Sequence, residues 1–403
     1  MIAATPLAGR QAELRAVLDA IAAPSGTSAG ALVAGEAGIG KSRLVAEAAA
    51  AADVPFVVGS CLRTSSGLPF LPVVDVMHGL NRLHGGRDLA AAMDRCPAFV
   101  REELAVLLPE LASVSADNSM PPAGWRRHRL FDSVRRALEA MATETSIVIV
   151  IEDLHWADSS TVELCDYLFA SGHRTPVPVI VTCRTEETDP LTLETIMNRS
   201  SLARIELAPL SRSQTRDQLV ALMGGQISEH RLDEVYRRTG GNAFFTEQLA
   251  SVGADRPGTP LPVGLRAVLL GRIRDAEPGE RAVLAVLAMG DRAMTELDIG
   301  QVCGWTEHRV RDGLRGLVER RLVNTDSSGY TLRHALLGEA VNARLLTGER
   351  AELHSALGEL LAHRGDPALA AAAANHFLGA QRLRPVQPAS PRPRVDFRRR
   401  QHR

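Results

Sequence analysis

Lysine is almost absent from this chain of 403 residues. Of its 46 lysines and arginines, one is a lysine, Lys41, and the other 45 are arginines. Such a bias indicates that arginine is used at every position where either cation can function. The one lysine therefore marks a position where a guanidinium group would not function. A guanidinium is planar and wide, whereas an ammonium is a compact point charge. Lys41 is therefore the first candidate for a functional cation.

Aromatic residues, paired cysteines and long apolar runs are also scarce. Aromatics make up 4% of the chain and apolar residues 45%, so the cores must be built from Leu, Val and Ala. The five cysteines lack C-x-x-C spacing, which argues against a disulfide or zinc framework and for a reducing compartment. No signal-peptide pattern is present, and no run approaches the roughly 20 apolar residues of a membrane span. We therefore predict a cytoplasmic protein without a membrane partner.

The net charge of -1 argues against a chain-wide field that attracts nucleic acid or membranes. The balance is uneven, because residues 381–403 carry eight arginines and one aspartate, a net +7, which leaves -8 for the rest. Since this segment is rich in proline and arginine, it cannot form a core, and we predict a disordered tail. A basic nucleic-acid-binding arm is the alternative for the tail.

Lys41 lies in a glycine-rich segment with the spacing of a phosphate-binding loop: Gly35, Glu36, Ala37, Gly38, Ile39, Gly40, Lys41 and Ser42. The apolar run 31–34 before it predicts a buried strand, and residues 42–52 after it have high helix propensity. In this context the loop amides and the helix N-terminus bind phosphate oxygens, Lys41 reaches the β- and γ-phosphates, and Ser42 ligates Mg²⁺. The sequence therefore predicts a site for ATP or ADP with Mg²⁺.

Alternating strands and helices predict a parallel sheet with helices on both faces. Further strands are predicted at 54–58, 146–151, 178–183 and 203–207, the last of them at an edge. Helical patterns, including 127–141 and 160–170, lie between the strands. The N-terminal half is therefore predicted to be an α/β domain.

Two acids, Glu152 and Asp153, follow the run 146–151 directly, which is the pattern of a Walker B motif. One carboxylate would hold Mg²⁺ and the other would orient or deprotonate the attacking water. The sequence leaves open which acid takes which role. Residues 182–184 end the next predicted strand, where Arg184 could reach the γ-phosphate. A surface arginine beside acidic neighbours is the alternative for Arg184.

These motifs resemble those of STAND signalling ATPases, which are AAA-type P-loop proteins. The resemblance runs over residues 5–380, in the segments 7–10, 13–14, 35–44, 149–158, 181–184, 207–210, 240–247, 333–336 and 350–354. Proteins with these motifs include large LuxR-type transcriptional regulators of actinobacteria and STAND ATPases fused to other effectors. The resemblance implies an ATP- or ADP-dependent switch, in which nucleotide exchange or slow hydrolysis moves the modules apart.

The resemblance also assigns residues to the nucleotide. It implies that Gly9 and Arg10 lie near the adenine and ribose, that the loop through Arg43 holds the phosphates, and that His334 lies against the β-phosphate of ADP. Ala243 stands where the family has a proline near the base, which departs from the expected adenine contact. Ordinary polar packing is the alternative for His334.

The chain is predicted to divide into five parts. These are a P-loop α/β domain of AAA/STAND type (1–208), an α-helical subdomain (209–258), a winged-helix-like domain (259–346), the start of an α-helical tetratricopeptide-like repeat (347–380) and the tail (381–403). Because about three repeats are needed to bury a solenoid core, 347–380 would be only the beginning of an array. We therefore expect truncation before the C-terminal helix-turn-helix of LuxR-type relatives, which a frameshift would explain.

The pattern at 295–320 is that of a helix-turn-helix, which raises the question of DNA binding. Its second helix carries four arginines, but also three acids, Glu307, Asp312 and Glu319, and such a mixed face is weak at binding phosphates. We therefore expect no sequence-specific DNA binding by this chain alone.

The leading function is the regulatory part of a LuxR-type regulator, with slow ATPase activity and an unidentified small-molecule or protein inducer. A nucleotide-dependent oligomer is left open. Two alternatives remain: a stand-alone ATPase that acts on a partner protein, and a DNA-binding regulator that uses its winged helix. Fast turnover would favour the first alternative, and salt-sensitive, sequence-selective DNA binding would favour the second.

Overall fold

The computed structural model describes residues 7–22, 30–62, 69–111, 123–143, 145–169, 177–186, 202–251, 253, 260–290 and 292–383. The chain divides into two compact units, Met1–Pro262 and Val263–Arg403, and each is treated by itself. Most of the glycine- and proline-rich segment 253–262, which the sequence predicts to be a linker, and residues 384–403 of the predicted tail lie outside the described residues. Within the described ranges, no helix combines the length and apolarity needed to cross a lipid bilayer.

The first unit is built on a sheet of five parallel strands, as predicted. They are β1 (Gly30–Gly35), β2 (Phe56–Ser60), β3 (Val148–Glu152), β4 (Val179–Arg184) and β5 (Ala203–Leu207). Their order is β2-β3-β4-β1-β5, which confirms the edge position of the last strand. Each strand lies within two residues of its predicted bounds. The central strands β1, β3 and β4 are almost wholly buried, because helices cover both faces of the sheet.

Seven helices of the first unit lie before or between these strands within the described ranges. They are α1 (Gln11–Ala22), α2 (Lys41–Ala51), α3 (Leu71–Arg82), α4 (Arg87–Arg95), α5 (Ala98–Leu104), α6 (Ala123–Ala142) and α7 (Ser159–Phe169). Val148 and Val150 of β3 pack on one face with α1 and α2. Ile149 and Ile151 pack on the other face with α3, α6 and α7, as the alternation of side chains along a strand requires.

Three short helices follow β5 in the described part of the first unit: α8 (Arg212–Met223), α9 (Glu229–Thr239) and α10 (Ala243–Ser251). Ser211 begins α8 in a capping box with Gln214, and Ser228 caps α9. Gly224 and Gly240 end α8 and α9 in the left-handed conformation that glycine adopts most easily.

The second unit contains seven helices and one hairpin in its described part. The helices are α11 (Val263–Arg272), α12 (Pro278–Gly290), α13 (Glu296–Cys303), α14 (Glu307–Glu319), α15 (Ala335–Asn342), α16 (Thr347–His363) and α17 (Ala370–Leu383). Strands β6 (Val323–Asp326) and β7 (Gly329–Leu332) pair antiparallel between α14 and α15. The predicted winged helix requires this order of elements, but its assignment and that of the helical repeat stay predictions.

The last described helix corrects one predicted boundary. The tail was predicted to begin at residue 381, but α17 continues to Leu383. Ala380 is buried and ties the end of α17 to the fold. Pro385 lies two residues beyond Leu383, and a proline disfavours helix at the residue before it. The predicted boundary of the tail is therefore three residues too early.

Candidate nucleotide-binding site

The loop between β1 and α2 adopts a conformation that depends on glycine. Gly38 has φ of 79° and Gly40 has φ of 111°, both in the region that side chains rarely adopt. A Cβ at Gly38 would also lie 3.0 Å from the side chains of Asn242 and Phe244. The loop therefore cannot exchange these glycines for larger residues without strain or displacement of its neighbours.

Lys41 lies folded against its own loop. Its Nζ donates hydrogen bonds to the carbonyl oxygens of Gly35 at 2.8 Å and of Glu36 at 2.9 Å, and the residue is 6% exposed. Because an ammonium has three N–H donors, these two bonds fix its position and leave a donor for an anion. Burial lowers the pKa of Lys41 from its ordinary value, and the carboxylate of Glu186 opposes this shift.

The N-terminus of α2 faces the same side of the loop. The helix begins at Lys41, and Gly40 at the N-cap has no side chain that could cap the first amides. Uncapped amides and the positive end of the helix dipole favour an anion at this position. The predicted phosphate-binding arrangement of strand, loop and helix is therefore present.

A cleft of about 460 Å³ opens beside the loop. It brings together nine predicted site residues: Arg10, Gly38, Ile39, Gly40, Lys41, Ser42, Arg43, Asp153 and Arg184. Seven residues that were not predicted to bind also line it: Leu7, Ala8, Leu210, Gln218, Ala243, Phe244 and Glu247. Among the predicted residues that are described in the first unit, five do not line the cleft: Gly9, Gly35, Glu36, Ala37 and Glu152. Parts of the chain 200 residues apart therefore converge on the loop.

The two Walker B acids, Glu152 and Asp153, differ in their position relative to the cleft. Glu152 is the last residue of β3 and pairs in register with Ser60. Asp153, in contrast, has a left-handed backbone with φ of 55°, and its amide donates to Thr182 Oγ1 at 3.0 Å. A non-glycine residue in this conformation costs roughly 1–3 kcal/mol and is found mainly at functional sites. The turn brings Asp153 to the cleft, so the geometry favours Asp153 as the acid nearest the phosphates.

Arg184 is held by His155 and Trp156, which follow the Walker B acids after Leu154. Its guanidinium carbon lies 4.6 Å from the ring centre of Trp156, a cation–π contact. Its backbone amide donates to His155 Nδ1 at 3.3 Å. Since Nδ1 accepts, Nε2 carries the ring proton, and this atom lies 3.9 Å from Asp153 Oδ1. His155 and Trp156 thus connect the arginine to the carboxylate.

His155 and Trp156 lie in the segment 149–158 that resembles the STAND ATPases, and no role was predicted for either. A signal was available, because an aromatic pair that begins two residues after the strand-end acid Asp153 must lie at the same sheet edge. Asp158 of the same motif acts structurally. Its Oδ1 accepts the amides of Ser160 and Thr161, both at 3.0 Å, and so caps α7.

Gly9 and Arg10 close one side of the cleft. Arg10 is 4% exposed, and its guanidinium donates to Glu13 Oε1 at 2.8 Å and to the Ala208 carbonyl oxygen at 2.5 Å. Gly9 accepts a hydrogen bond from Gln214 Nε2 at 2.5 Å, and a Cβ at Gly9 would collide with that side chain. The structure thus places Arg10 at the cleft and packs Gly9 against α8.

The helical part of the first unit contacts the phosphate-binding loop directly. Asn242 Nδ2 donates to the Ala37 carbonyl oxygen at 3.1 Å, and the Phe244 amide donates to the Gly38 carbonyl oxygen at 3.0 Å. Asn242 is 1% exposed, and its Oδ1 accepts the Phe245 amide at 3.2 Å, which caps α10. One side chain therefore fixes both the loop and the start of a helix.

The loop already binds one anionic oxygen. The Ala37 amide donates to Glu186 Oε1 at 2.7 Å, so the loop presents its N–H groups to negative charge. Both this contact and the position of Lys41 in its loop are consistent with a site that binds the phosphate of a nucleotide. Ser42 and Asp153 offer oxygen ligands to Mg²⁺ from the same cleft. Among the described residues, no cluster of three or more His, Cys, Asp or Glu side chains that could hold a metal ion is present.

His334 lies in the second unit. It is 5% exposed and precedes α15, where its carbonyl oxygen accepts the Leu337 amide at 3.0 Å. Its predicted contact with the β-phosphate stays a prediction.

A parallel sheet whose first strand leads through a glycine loop with lysine into a helix defines a P-loop nucleotide-binding domain. Residues 6–182 match the family of the AAA ATPase domain. The chain therefore contains an AAA ATPase domain that begins before α1 and extends into β4.

The relatives found are distant and mostly longer. An uncharacterized protein of Rhizobium meliloti is 24% identical over 390 residues, which are 87% of this chain and 36% of that protein. The Walker-type ATPase PABY2304 of Pyrococcus abyssi has a TM-score of 0.56 at 13% identity, covering 83% of this chain and 96% of its own. A STAND protein with a tetratricopeptide repeat sensor from Pyrococcus horikoshii has a TM-score of 0.37 at 14% identity, covering 94% of this chain and 49% of that protein. Of these, the Pyrococcus abyssi ATPase supports the fold, and the chain spans about a third of its curated relative.

Proposed function

We propose that this chain is an ATP- or ADP-binding switch of STAND type and forms the regulatory portion of a LuxR-type transcriptional regulator. The observation that carries the switch is the pair of hydrogen bonds from Asn242 and Phe244 to the phosphate-binding loop. Any movement of the loop on nucleotide binding acts on the start of α10 through these bonds. The helical segment is therefore placed to respond to what the cleft holds.

Several groups that line the cleft would contact the nucleotide or its Mg²⁺ ion. The loop amides and Lys41 would hold the phosphates, Ser42 and Asp153 would ligate Mg²⁺, and Arg10 would face the ribose and base. When bound, Mg²⁺–ATP supplies a γ-phosphate open to attack by water and a cation that offsets its charge. Asp153 would orient the attacking water or hold the cation.

Arg184 would report the terminal phosphate from its position on Trp156. A guanidinium held on an aromatic face has lost much of its conformational freedom, so it can reach an anion at little further cost in entropy. Among the described residues, Arg10, Arg43 and Arg184 are the arginines that line the cleft, and each already has a role in nucleotide binding or sensing in this proposal. We therefore expect slow hydrolysis, as in switch ATPases that rely on a partner for stimulation.

The contacts of α14 support the absence of sequence-specific DNA binding. Arg311 pairs with Glu296 at 3.1 Å and with Glu307 at 3.0 Å, and Arg309 stacks on Trp305 at 4.2 Å. Arg320, just after α14, pairs with Glu280 at 2.9 Å. These cations are engaged within the unit, so they are poorly available to DNA phosphates.

Nucleotide titration combined with amide hydrogen exchange tests the switch. Wild-type protein should bind ATP and ADP, and binding should change exchange in residues 242–246 as well as in the loop. Asn242→Asp keeps the acceptor that caps α10 and removes the donor to Ala37, whereas Asn242→Ala removes both. With Asn242→Asp, the loop should still respond while 242–246 responds less. An unchanged response of 242–246 in this variant would remove the basis of the proposed coupling.

The LuxR-type assignment has a separate test. Sequencing the genomic DNA downstream of this reading frame should find a segment that encodes a helix-turn-helix, in this frame or another. Its absence, together with turnover above about 1 s⁻¹, would favour a stand-alone ATPase that acts on a partner.

A further inference from the structure

Glu186 occupies a position where a negative charge opposes phosphate binding. It follows β4 by two residues, and its Oε1 accepts the Ala37 amide at 2.7 Å. Its other carboxylate oxygen lies 3.4 Å from the hydroxyl of its neighbour Thr185. A charge-assisted bond to an amide of the phosphate-binding loop is one that an anionic ligand would otherwise make.

The position of Ala37 within the loop indicates which phosphate is affected. Ala37 lies on the strand side of the loop, whereas Ser42 and Arg43 begin α2 on the other side. Lys41, whose ammonium reaches the β- and γ-phosphates, is folded back onto the carbonyl oxygens of Gly35 and Glu36, beside Ala37. The carboxylate of Glu186 is close enough to raise the pKa of that ammonium. Glu186 therefore lies at the end of the loop that receives the terminal phosphate.

We propose that Glu186 determines nucleotide specificity by making the cleft favour a nucleoside diphosphate over a triphosphate. A diphosphate can use Lys41 and the N-terminus of α2 while the bond between Ala37 and Glu186 stays intact. A triphosphate requires that this bond be broken and that the carboxylate withdraw, because two anions cannot share one amide. The inference rests on the proposed nucleotide-binding function and adds a residue that biases the switch toward its diphosphate state.

The charge of Glu186 can be removed without removing its hydrogen bond. In Glu186→Gln the amide oxygen can still accept from Ala37, so the loop keeps its geometry while the repulsion is lost. Glu186→Ala removes both. Glu206→Gln is the matched control, because Glu206 is an exposed residue of β5 that pairs with Arg204 at 3.0 Å and lies outside the cleft. It removes the same charge from the same unit.

The test is calorimetric titration of the full chain with ADP and with a non-hydrolysable ATP analogue, both with Mg²⁺. Thermal unfolding without nucleotide checks that each variant is folded. Glu186→Gln should bind the triphosphate analogue about 10-fold tighter, while its affinity for ADP changes less than about threefold. Glu186→Ala should shift the ratio of the two affinities in the same direction, and Glu206→Gln should leave it unchanged.

The outcomes distinguish a failure of this inference from a failure of the proposed nucleotide-binding function on which it rests. If the wild type binds neither nucleotide, the proposed function fails. If the wild type binds both but neither Glu186 variant changes the ratio of affinities, the inference is overturned and the function stands. A fall in ATP turnover of about 100-fold in Glu186→Gln, at unchanged affinities, would overturn it as well, since Glu186 would then be a catalytic base.

Discussion

The guanidinium carbon of Arg184 lies 4.6 Å from the ring centre of Trp156, and this contact joins the sensor strand to the Walker B motif. Arg184 ends β4, while Trp156 belongs to the short turn after β3, so the contact exists only because the two strands are neighbours in the sheet. His155, between Trp156 and the acids, accepts the Arg184 amide on one side and faces Asp153 on the other. The acid and the arginine at the cleft are thus positioned by one pair of side chains.

Loss of the Trp156 ring should therefore weaken the action of Arg184. A partly buried cation–π contact contributes about 1–2 kcal/mol, so Trp156→Ala should lower ATP turnover roughly 5- to 30-fold. Trp156→Phe keeps an aromatic face and should retain most of the activity. The double variant Trp156→Ala with Arg184→Ala should be no slower than Arg184→Ala alone, because the two residues act as one unit. Additive losses in single-turnover assays would show that Trp156 acts by another route.

Removal of the one lysine should weaken nucleotide binding. Lys41→Ala removes a charge-assisted hydrogen bond worth roughly 1.5–3 kcal/mol, so affinity for ATP should fall about 10- to 150-fold. Lys41→Arg tests the argument from the lysine bias. Because Lys41 is buried in the turn of its own loop, a guanidinium should not fit, and this variant should also bind weakly. Calorimetric titration with Mg²⁺ and ATP measures both, and wild-type affinity in either variant would contradict the assigned role.

The separation of the Walker B acids predicts unequal effects on hydrolysis. We expect basal turnover below about 1 s⁻¹, and Asp153→Asn should lower it at least about 10-fold while leaving binding largely intact. Glu152→Gln should have the smaller effect, because Glu152 is not among the residues that line the cleft in the described part of the chain. Phosphate release under saturating ATP compares the two variants. A larger loss in Glu152→Gln would reverse the assignment of the acids.

Much of this site could be predicted because its signals are local. The loop places its glycines, lysine and serine within eight consecutive residues, and a strand and a helix on either side confirm the context. Short apolar or alternating runs likewise located every strand of the five-stranded sheet within two residues. The carboxyl ends of parallel strands lie at the same edge of the sheet whatever the order of the strands. Asp153 and Arg184 could therefore be predicted to lie at that edge without knowledge of the topology.

The rest depends on contacts between distant segments, which no spacing in the sequence encodes. Asn242 reaches Ala37 across 205 residues, and Glu186 reaches the same residue across 149. The left-handed backbone of Asp153, which separates it from Glu152, is set by Thr182 on the neighbouring strand. A carboxylate bound to a phosphate-binding loop is contrary to the simple expectation, so Glu186 was seen in the sequence only as an acidic neighbour of Arg184.

A histidine pair in the second unit predicts a loss of stability in mild acid. His354 and His376 face each other across α16 and α17, with their Nδ1 atoms 2.9 Å apart. Burial lowers the pKa of both, with a further contribution from Arg350 to His354 and from His354 and Arg292 to His376. The unfolded chain takes up protons at the ordinary value of about 6.5, while the folded pair does so only at lower pH. Stability is therefore full above about pH 6.5 and declines as the pH falls below it.

The measurement is the thermal unfolding midpoint between pH 7.5 and 5.5. The wild type should lose more stability over this interval than a His354→Gln, His376→Gln double variant, in which neither position can take up a proton. Equal losses in both proteins would mean that other groups control the acid sensitivity.

The described part of this chain should not recognise DNA sequence. Three arginines on or just after α14, Arg309, Arg311 and Arg320, are paired or stacked within their unit. Residues 1–380 carry a net charge of -8, which repels a polyanion at long range. Any binding should come from the seven arginines of residues 384–403, be indifferent to sequence and disappear as salt rises. Deletion of residues 384–403 leaves α17 whole and should abolish this DNA binding.

Gel shifts with random duplexes at low and moderate salt, which compare the full-length with the deleted protein, test this expectation. Tight, sequence-selective binding that survives the deletion would make α14 a recognition helix and favour the DNA-binding alternative.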